Sequence, residues 1–151
     1  MIKANVEINV KSWQKKIVNP KKYFSKKLKK ISKVVKYFND KNLTFTILLT
    51  NSLKIKKLNK KFRKLNKPTD VLSFPFFSKK HLKSIKEKKI YIGDIAVSYE
   101  IINSRAKKKS FLLEFDKVWI HGFLHLLGYN HIKNKDYFKM SRFEKRILKS
   151  I

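Results

Sequence analysis

The sequence predicts an α/β (α+β) fold with about four strands and about five helices in a single domain over residues 1–151. Three observations lead there. Segments alternating at period two are interleaved with segments of helical period, the pattern of a sheet packed with helices. No internal repeat and no Gly/Pro/Ser-rich linker divides the chain. A length of 151 residues, 42% of them hydrophobic, allows one well-filled core and hardly two domains.

Taken in order, Ile2, Ala4, Val6, Ile8 and Val10 alternate with polar residues as a half-buried strand. After Pro20, Phe24, Leu28, Ile31, Val35 and Phe38 recur every three or four residues, an amphipathic helix with Lys on its wet face. Leu43, Phe45, Ile47 and Leu49 alternate as a second strand. Asn51 or Ser52 caps a helix carrying Leu53, Ile55, Leu58 and Phe62. A polar connection from Arg63 to Pro68 leads into a strand-like run at 69–77. Pro75, with no N–H to donate, puts the end of that run at an edge or a bend. The Lys-rich stretch from Ser78 to Lys89 shows no period and reads as a surface loop. Ile90 to Val97 is a further strand. Ser98 caps a helix reaching about Lys107, and a helix from Ser110 to Leu127 is apolar nearly all round, so it belongs in the middle of the fold. Gly128 ends it, and Asp136 caps a last helix bearing Tyr137, Met140, Phe143 and Ile147.

The formal net charge is +29, from 39 basic and 10 acidic residues. Such an excess fits a polyanionic partner, nucleic acid or an anionic membrane surface. It fits equally well the Lys drift of an A/T-rich coding sequence, because only Arg63, Arg105, Arg142 and Arg146 are Arg, and Asn and Ile are abundant. With no Cys there is no disulfide, in keeping with a reducing compartment. No signal-peptide stretch and no run of 18 apolar residues is present, so the expectation is a soluble cytoplasmic protein with no membrane association.

Chemistry concentrates in His121-Gly122-Phe123-Leu124-His125-Leu126-Leu127-Gly128-Tyr129-Asn130-His131. His121 and His125 are four apart on a helix, so both imidazoles share one face. Gly128 lets the chain turn and His131 return as a third ligand. Three neutral His leave a fourth tetrahedral position for water, the open geometry of a catalytic zinc site. Two His on an otherwise apolar helix are costly to bury unless something binds both. His81, in the Lys-rich stretch, reads as solvated. All three Gly, at 93, 122 and 128, fall in these suspect segments. Gly122 in mid-helix costs about 1 kcal/mol against Ala, leaving room for substrate or an adjacent strand. A peptidase of the H-E-x-x-H type has Glu where Gly122 stands, and Glu114, almost two turns earlier, is no simple substitute.

The His121–His131 segment resembles the signature His-Gly-x-Leu-His-Leu-x-Gly-Tyr-Asp-His of the YbeY family of bacterial endoribonucleases and rRNA maturation factors. Arg63, the run Lys67-Pro68-Thr69-Asp70-Val71-Leu72-Ser73-Phe74-Pro75-Phe76, Gly93-Asp94-Ile95, Met140 and Glu144 match further family motifs, so the resemblance spans about Asn59 to Glu144. It implies a small mixed sheet and one Zn2+ on His121, His125 and His131, with Arg63 as the functional Arg. It also implies cleavage of single-stranded RNA, 3′ maturation of 16S ribosomal RNA, ribosome quality control, and the small ribosomal subunit as partner. Asn130 departs from the family's Asp, retaining an acceptor but losing a charge.

The expected reaction is metal-assisted hydrolysis of an RNA phosphodiester, with Arg63 clamping the phosphate. Asp70 is either a strand-end acid or the group that orients Arg63, and Asp94 reads as structural. Imidazole also suits Ni, Cu and Fe, so the residues alone leave the metal open. Two alternatives are a metallopeptidase-like hydrolase with a distant base and a non-catalytic ribosome-associated RNA-binding factor with structural zinc. A membrane-surface protein is weaker, since packing in a globular domain explains the basic amphipathic helix.

Overall fold

The computed structural model describes residues 1–38, 40–108 and 110–151. Four strands, β1 (Ile2–Ile8), β2 (Asn42–Thr50), β3 (Val71–Pro75) and β4 (Lys89–Ser98), form one sheet in the order β1-β2-β4-β3. β1 pairs parallel with β2 and β2 with β4, while β3 runs antiparallel along the outer edge of β4. The sheet is therefore mixed, as expected. Pro75 ends the edge strand, where a missing N–H breaks no inner ladder.

Among the described residues there are seven α-helices: α1 (Ser12–Lys16), α2 (Pro20–Val34), α3 (Ser52–Arg63), α4 (Lys79–Ser84), α5 (Tyr99–Arg105), α6 (Phe111–Leu126) and α7 (Asn134–Leu148). Helix α6 lies across β3 and β4, and α2 along β1. Phe24, Leu28 and Ile31 of α2, Phe45, Ile47 and Leu49 of β2, and Trp119, Phe123 and Leu124 of α6 fill the main core between them. Ile55 of α3, Leu72 and Ala96 form a smaller cluster.

Several sequence expectations are corrected. Helices α1 and α4 raise the count from five to seven. Trp13 drives α1: it is fully buried, and its indole N–H donates to the Thr50 carbonyl at 2.9 Å. The stretch expected to be a surface loop contains α4, because Ser78 Oγ accepts from the His81 N–H at 3.3 Å and Leu82 is fully buried. Helix α2 stops at Val34, with Lys36–Phe38 a 3-10 turn, and β1 stops at Ile8 rather than Val10. Helix α5 stops at Arg105, followed by a 3-10 turn over Ala106–Lys108. Ser98 precedes α5 without bonding its N–H groups; its hydroxyl meets that of Ser52 at 2.8 Å. Lys133, not Asp136, is the cap position of α7, and Asp136 lies in its first turn. Asn51 caps α3 as expected, accepting from the Lys54 N–H at 2.8 Å.

Gly122 is where α6 crosses the sheet. A Cβ there would lie 2.9 Å from Ser73 Oγ and 3.0 Å from Val71 Cγ2, so the missing side chain admits β3 rather than substrate. On another face of α6, Asp116 is buried and fully engaged. It accepts from Lys27 at 2.7 Å, Tyr23 at 2.6 Å and Trp119 Nε1 at 2.9 Å. Burial, then the Asp116 charge and hydrogen bond, push the Tyr23 phenol far above its ordinary value. Asp116→Ala strands these donors and is expected to cost about 2–3 kcal/mol, read as a lower thermal unfolding midpoint. An unchanged midpoint would show that the network contributes nothing.

Candidate metal centre

One helix and one turn bring the histidines together. Helix α6 presents His121 and His125 one turn apart, as their spacing requires. The helix then closes in a Schellman turn, with Tyr129 N–H donating to the Leu124 carbonyl at 3.0 Å and Gly128 N–H to the His125 carbonyl at 2.9 Å. Gly128 sits at φ 77°, the left-handed conformation this motif needs. The reversal returns His131 to the helix, and one ligand nitrogen from each His falls within 4.8 Å of the others.

The nitrogen chemistry fits a cation. His125 Nδ1 lies 2.9 Å from the Tyr129 carbonyl, which can only accept, so the proton is on Nδ1 and the lone pair on Nε2. That Nε2 faces His121 Nε2 at 3.2 Å. A tetrahedral zinc with bonds of about 2.0–2.1 Å spaces its ligands about 3.3–3.4 Å apart, so the pair already has the separation an ion requires. His121 turns its Nδ1 toward Glu144 on α7 at 3.7 Å. Asn130 is exposed and makes no side-chain bond to these rings among the described residues; Tyr129 and Glu144 face their outer nitrogens instead. Burial first, then the charges of His121, His131 and Arg63, hold the His125 imidazole below its ordinary value of 6.5, against the opposing bond to Tyr129.

The histidines open into a cleft of about 640 Å³ floored by Val71 and Ser73 of β3. Arg63, the last residue of α3, lines it. The buried Asn59 holds the chain beyond Arg63, donating from Nδ2 to the Lys67 carbonyl at 2.8 Å. Arg63 itself is exposed and has no ion-pair partner among the described residues. Asp70 does not orient Arg63. It pairs with Arg105 at 2.5 Å, while Glu114 stands 4.0 Å from the same guanidinium. Burial would raise the Asp70 carboxyl, but the bond to Arg105 and its charge outweigh that and hold it below its ordinary value. Asp94 accepts from the Tyr91 hydroxyl at 2.6 Å and lies outside this cleft. His81 is exposed on α4, its ring against Phe77.

Sequence reasoning set Glu114 aside and passed over Arg105 and Lys117, all of which line the cleft. The signal for two of them was available. Glu114, Lys117, His121 and His125 recur at spacings of three and four, which puts them on one helix face.

The sequence model of the family described as "Endoribonuclease YbeY" matches residues 7–151. The chain belongs to the YbeY endoribonuclease family. A relative named "Endoribonuclease YbeY" from Pelagibacter ubique is 48% identical over all of this chain and 97% of its own length. One of the same name from Buchnera aphidicola (subsp. Acyrthosiphon pisum) is 40% identical over 97% of this chain and 92% of its own. A solution structure of a Thermotoga maritima protein superposes with a TM-score of 0.63, at 27% identity over 99% of this chain and 88% of that one. YbeY similarity thus reaches well beyond the Asn59–Glu144 span that carries the sequence motifs, into β1 and the C-terminus. No described helix is long and apolar enough to cross a membrane.

Proposed function

We propose that the chain, as one domain over residues 1–151, is a zinc-dependent, single-strand-specific endoribonuclease acting in 3′ maturation of 16S ribosomal RNA and in ribosome quality control. Its place of action in this reading is the cytoplasm, with the small ribosomal subunit and its proteins as partners. The observation that carries it is the convergence of three histidine nitrogens in a cleft shared with an unpaired arginine. His121, His125 and His131 would hold one ion. When bound, the ion supplies a water nucleophile near neutral pH and electrostatic pull on a phosphoryl oxygen.

The remaining steps belong to the chain. Tyr129 fixes the His125 tautomer through its carbonyl, and Glu144 faces the outer nitrogen of His121. Arg63 offers a planar fork of donors that matches a phosphate and stabilises charge developing on it. Asp70 steadies Arg105 on the cleft wall and takes up much of its charge, so of the two guanidiniums in the cleft Arg63 is the one left to grip the backbone. A peptidase reading is disfavoured, because Gly122 occupies the place of the usual Glu and Glu114 faces Arg105.

Arg63→Ala is expected to lower cleavage of a single-stranded RNA by about 10²–10³-fold with metal content unchanged. Arg63→Lys should recover only part, because a point charge lacks the fork. Cleavage rates beside elemental analysis check both. Metal-dependent casein hydrolysis without RNA cleavage would favour the peptidase. RNA binding without cleavage, insensitive to blocking the open position, would favour the structural-zinc factor.

A further inference from the structure

Four arginines among 39 basic residues are few enough that their positions carry information. Arg63 and Arg105 line the histidine cleft. Arg142 and Arg146 line a second groove of about 350 Å³ between α4 and α7. In a chain that uses Lys almost everywhere, every guanidinium borders one of two concave surfaces.

The second groove is built for an anion with flat faces. Arg142 and Arg146 lie one turn apart on α7, with Lys139 a turn before them, and Lys79 and Lys83 approach from α4. None of the five has an ion pair among the described residues. Asp136, in the first turn of α7, lines an adjoining pocket with Lys79 and Lys139. Burial first, then the charges of Lys83 and Lys139, lower the Lys79 ammonium despite Asp136. Between the cations stand aromatic rings. Lys79 Nζ lies 3.5 Å from the Tyr129 ring centre, Tyr129 stacks on Phe143 at 5.4 Å, and Tyr37 is 73% exposed beneath Lys83. Five cations around one exposed ring, Tyr37, suit a single strand, whose phosphates pair with the former and whose bases can stack on the latter.

Tyr129 links the groove to the histidines. Its carbonyl fixes His125, and its ring lines the groove. We infer that the α4/α7 groove is a second RNA-binding site, holding the backbone of the single strand as it leaves the histidine cleft. This rests on the endoribonuclease reading. A membrane headgroup layer would meet the same charges, but a concave groove opening beside the cleft fits one strand better than a flat surface.

The test compares two substrates, a trinucleotide confined to the cleft and a single strand of about 15 nucleotides, long enough to cover both sites. Arg142 and Arg146 are exposed, so Arg142→Ala/Arg146→Ala should fold, and its melting curve is recorded alongside. The double variant is expected to raise KM for the longer strand about tenfold with kcat within about twofold, and to leave the trinucleotide unaffected. Binding of an uncleavable 2′-O-methyl strand should lose roughly 1 to 1.5 from its log–log salt slope. Arg142→Lys/Arg146→Lys should restore most of that slope. If wild-type protein cuts both substrates and the Ala variant matches it in KM and slope, the groove inference falls and the endoribonuclease reading stands. If wild-type protein neither binds nor cuts either strand, the endoribonuclease reading fails and the inference with it. Loss of binding to phosphatidylserine vesicles or polyglutamate with RNA binding intact would reassign the groove and overturn the inference.

Discussion

Replacing His125 with Ala is expected to lower cleavage of single-stranded RNA by on the order of 10³-fold and to leave the purified protein without its metal. His125 is the most constrained of the three. Its Nδ1 is committed to Tyr129, so its Nε2 lone pair is turned toward His121 Nε2, where an ion would sit. Without it, His121 and His131 offer two ligands, one of them on an exposed loop. The fold should survive, because the side chain is only half-buried and faces the cleft. Elemental analysis, a cleavage assay and a thermal melt together decide the matter. A variant that keeps one equivalent of metal and the wild-type rate would end the three-histidine mechanism.

The same residue sets a pH dependence. In the folded chain His125 takes up a proton less readily than at its ordinary value of 6.5. Metal retention should therefore persist somewhat below that pH and fail once the imidazole charges, because only the neutral ring coordinates. The metal-free protein should follow with the same sign. A lowered value means that the unfolded chain binds more protons, so this contribution to stability is fully present above 6.5 and is lost as pH falls through the folded value. Equal metal retention at pH 4 and pH 7.5 would contradict the assignment.

What was legible in the sequence follows from range. β2 could be read because Leu43, Phe45, Ile47 and Leu49 repeat their burial at every second residue. α6 could be read because its sixteen residues are apolar nearly all round and its His pair stands out against them. Helices α1 and α4 have five and six residues, too few turns to repeat anything. Each is held by one buried side chain, Trp13 or Leu82, whose partners are distant in sequence. The pairing of Asp70 with Arg105 was illegible for the same reason, since the two are 35 residues apart and meet only because β3 and α5 both flank the cleft. Asp70, read as either a strand-end acid or the group that orients Arg63, is taken up by Arg105, and Arg63 has no ion-pair partner among the described residues. The histidines were legible because all three depend on one helix and one turn.

That turn makes Gly128→Val the most damaging single change expected outside the ligands. Left-handed backbone costs a non-glycine residue about 1–3 kcal/mol, more for a β-branched one. A Cβ at this position would also lie 2.5 Å from the backbone nitrogen of Lys79 and 2.6 Å from its Cα. Those are main-chain atoms at the start of α4, fixed by the Ser78 cap and the buried Leu82, so neither can swing aside. The two penalties together are expected to cost about 3 kcal/mol or more, lowering the melting midpoint by about 6–12 °C. The chain can escape only by opening the Schellman turn, which moves the Tyr129 carbonyl from His125 and carries His131 out of reach. Metal affinity should then fall by at least about tenfold, as when a ligand loses its orienting partner. Gly128→Asn separates the two causes, since Asn tolerates the left-handed conformation but still carries a Cβ. It should recover part of the stability and little of the metal affinity if contact with α4 dominates. Full recovery of both would show that backbone strain alone was responsible, and that α4 does not brace the metal centre.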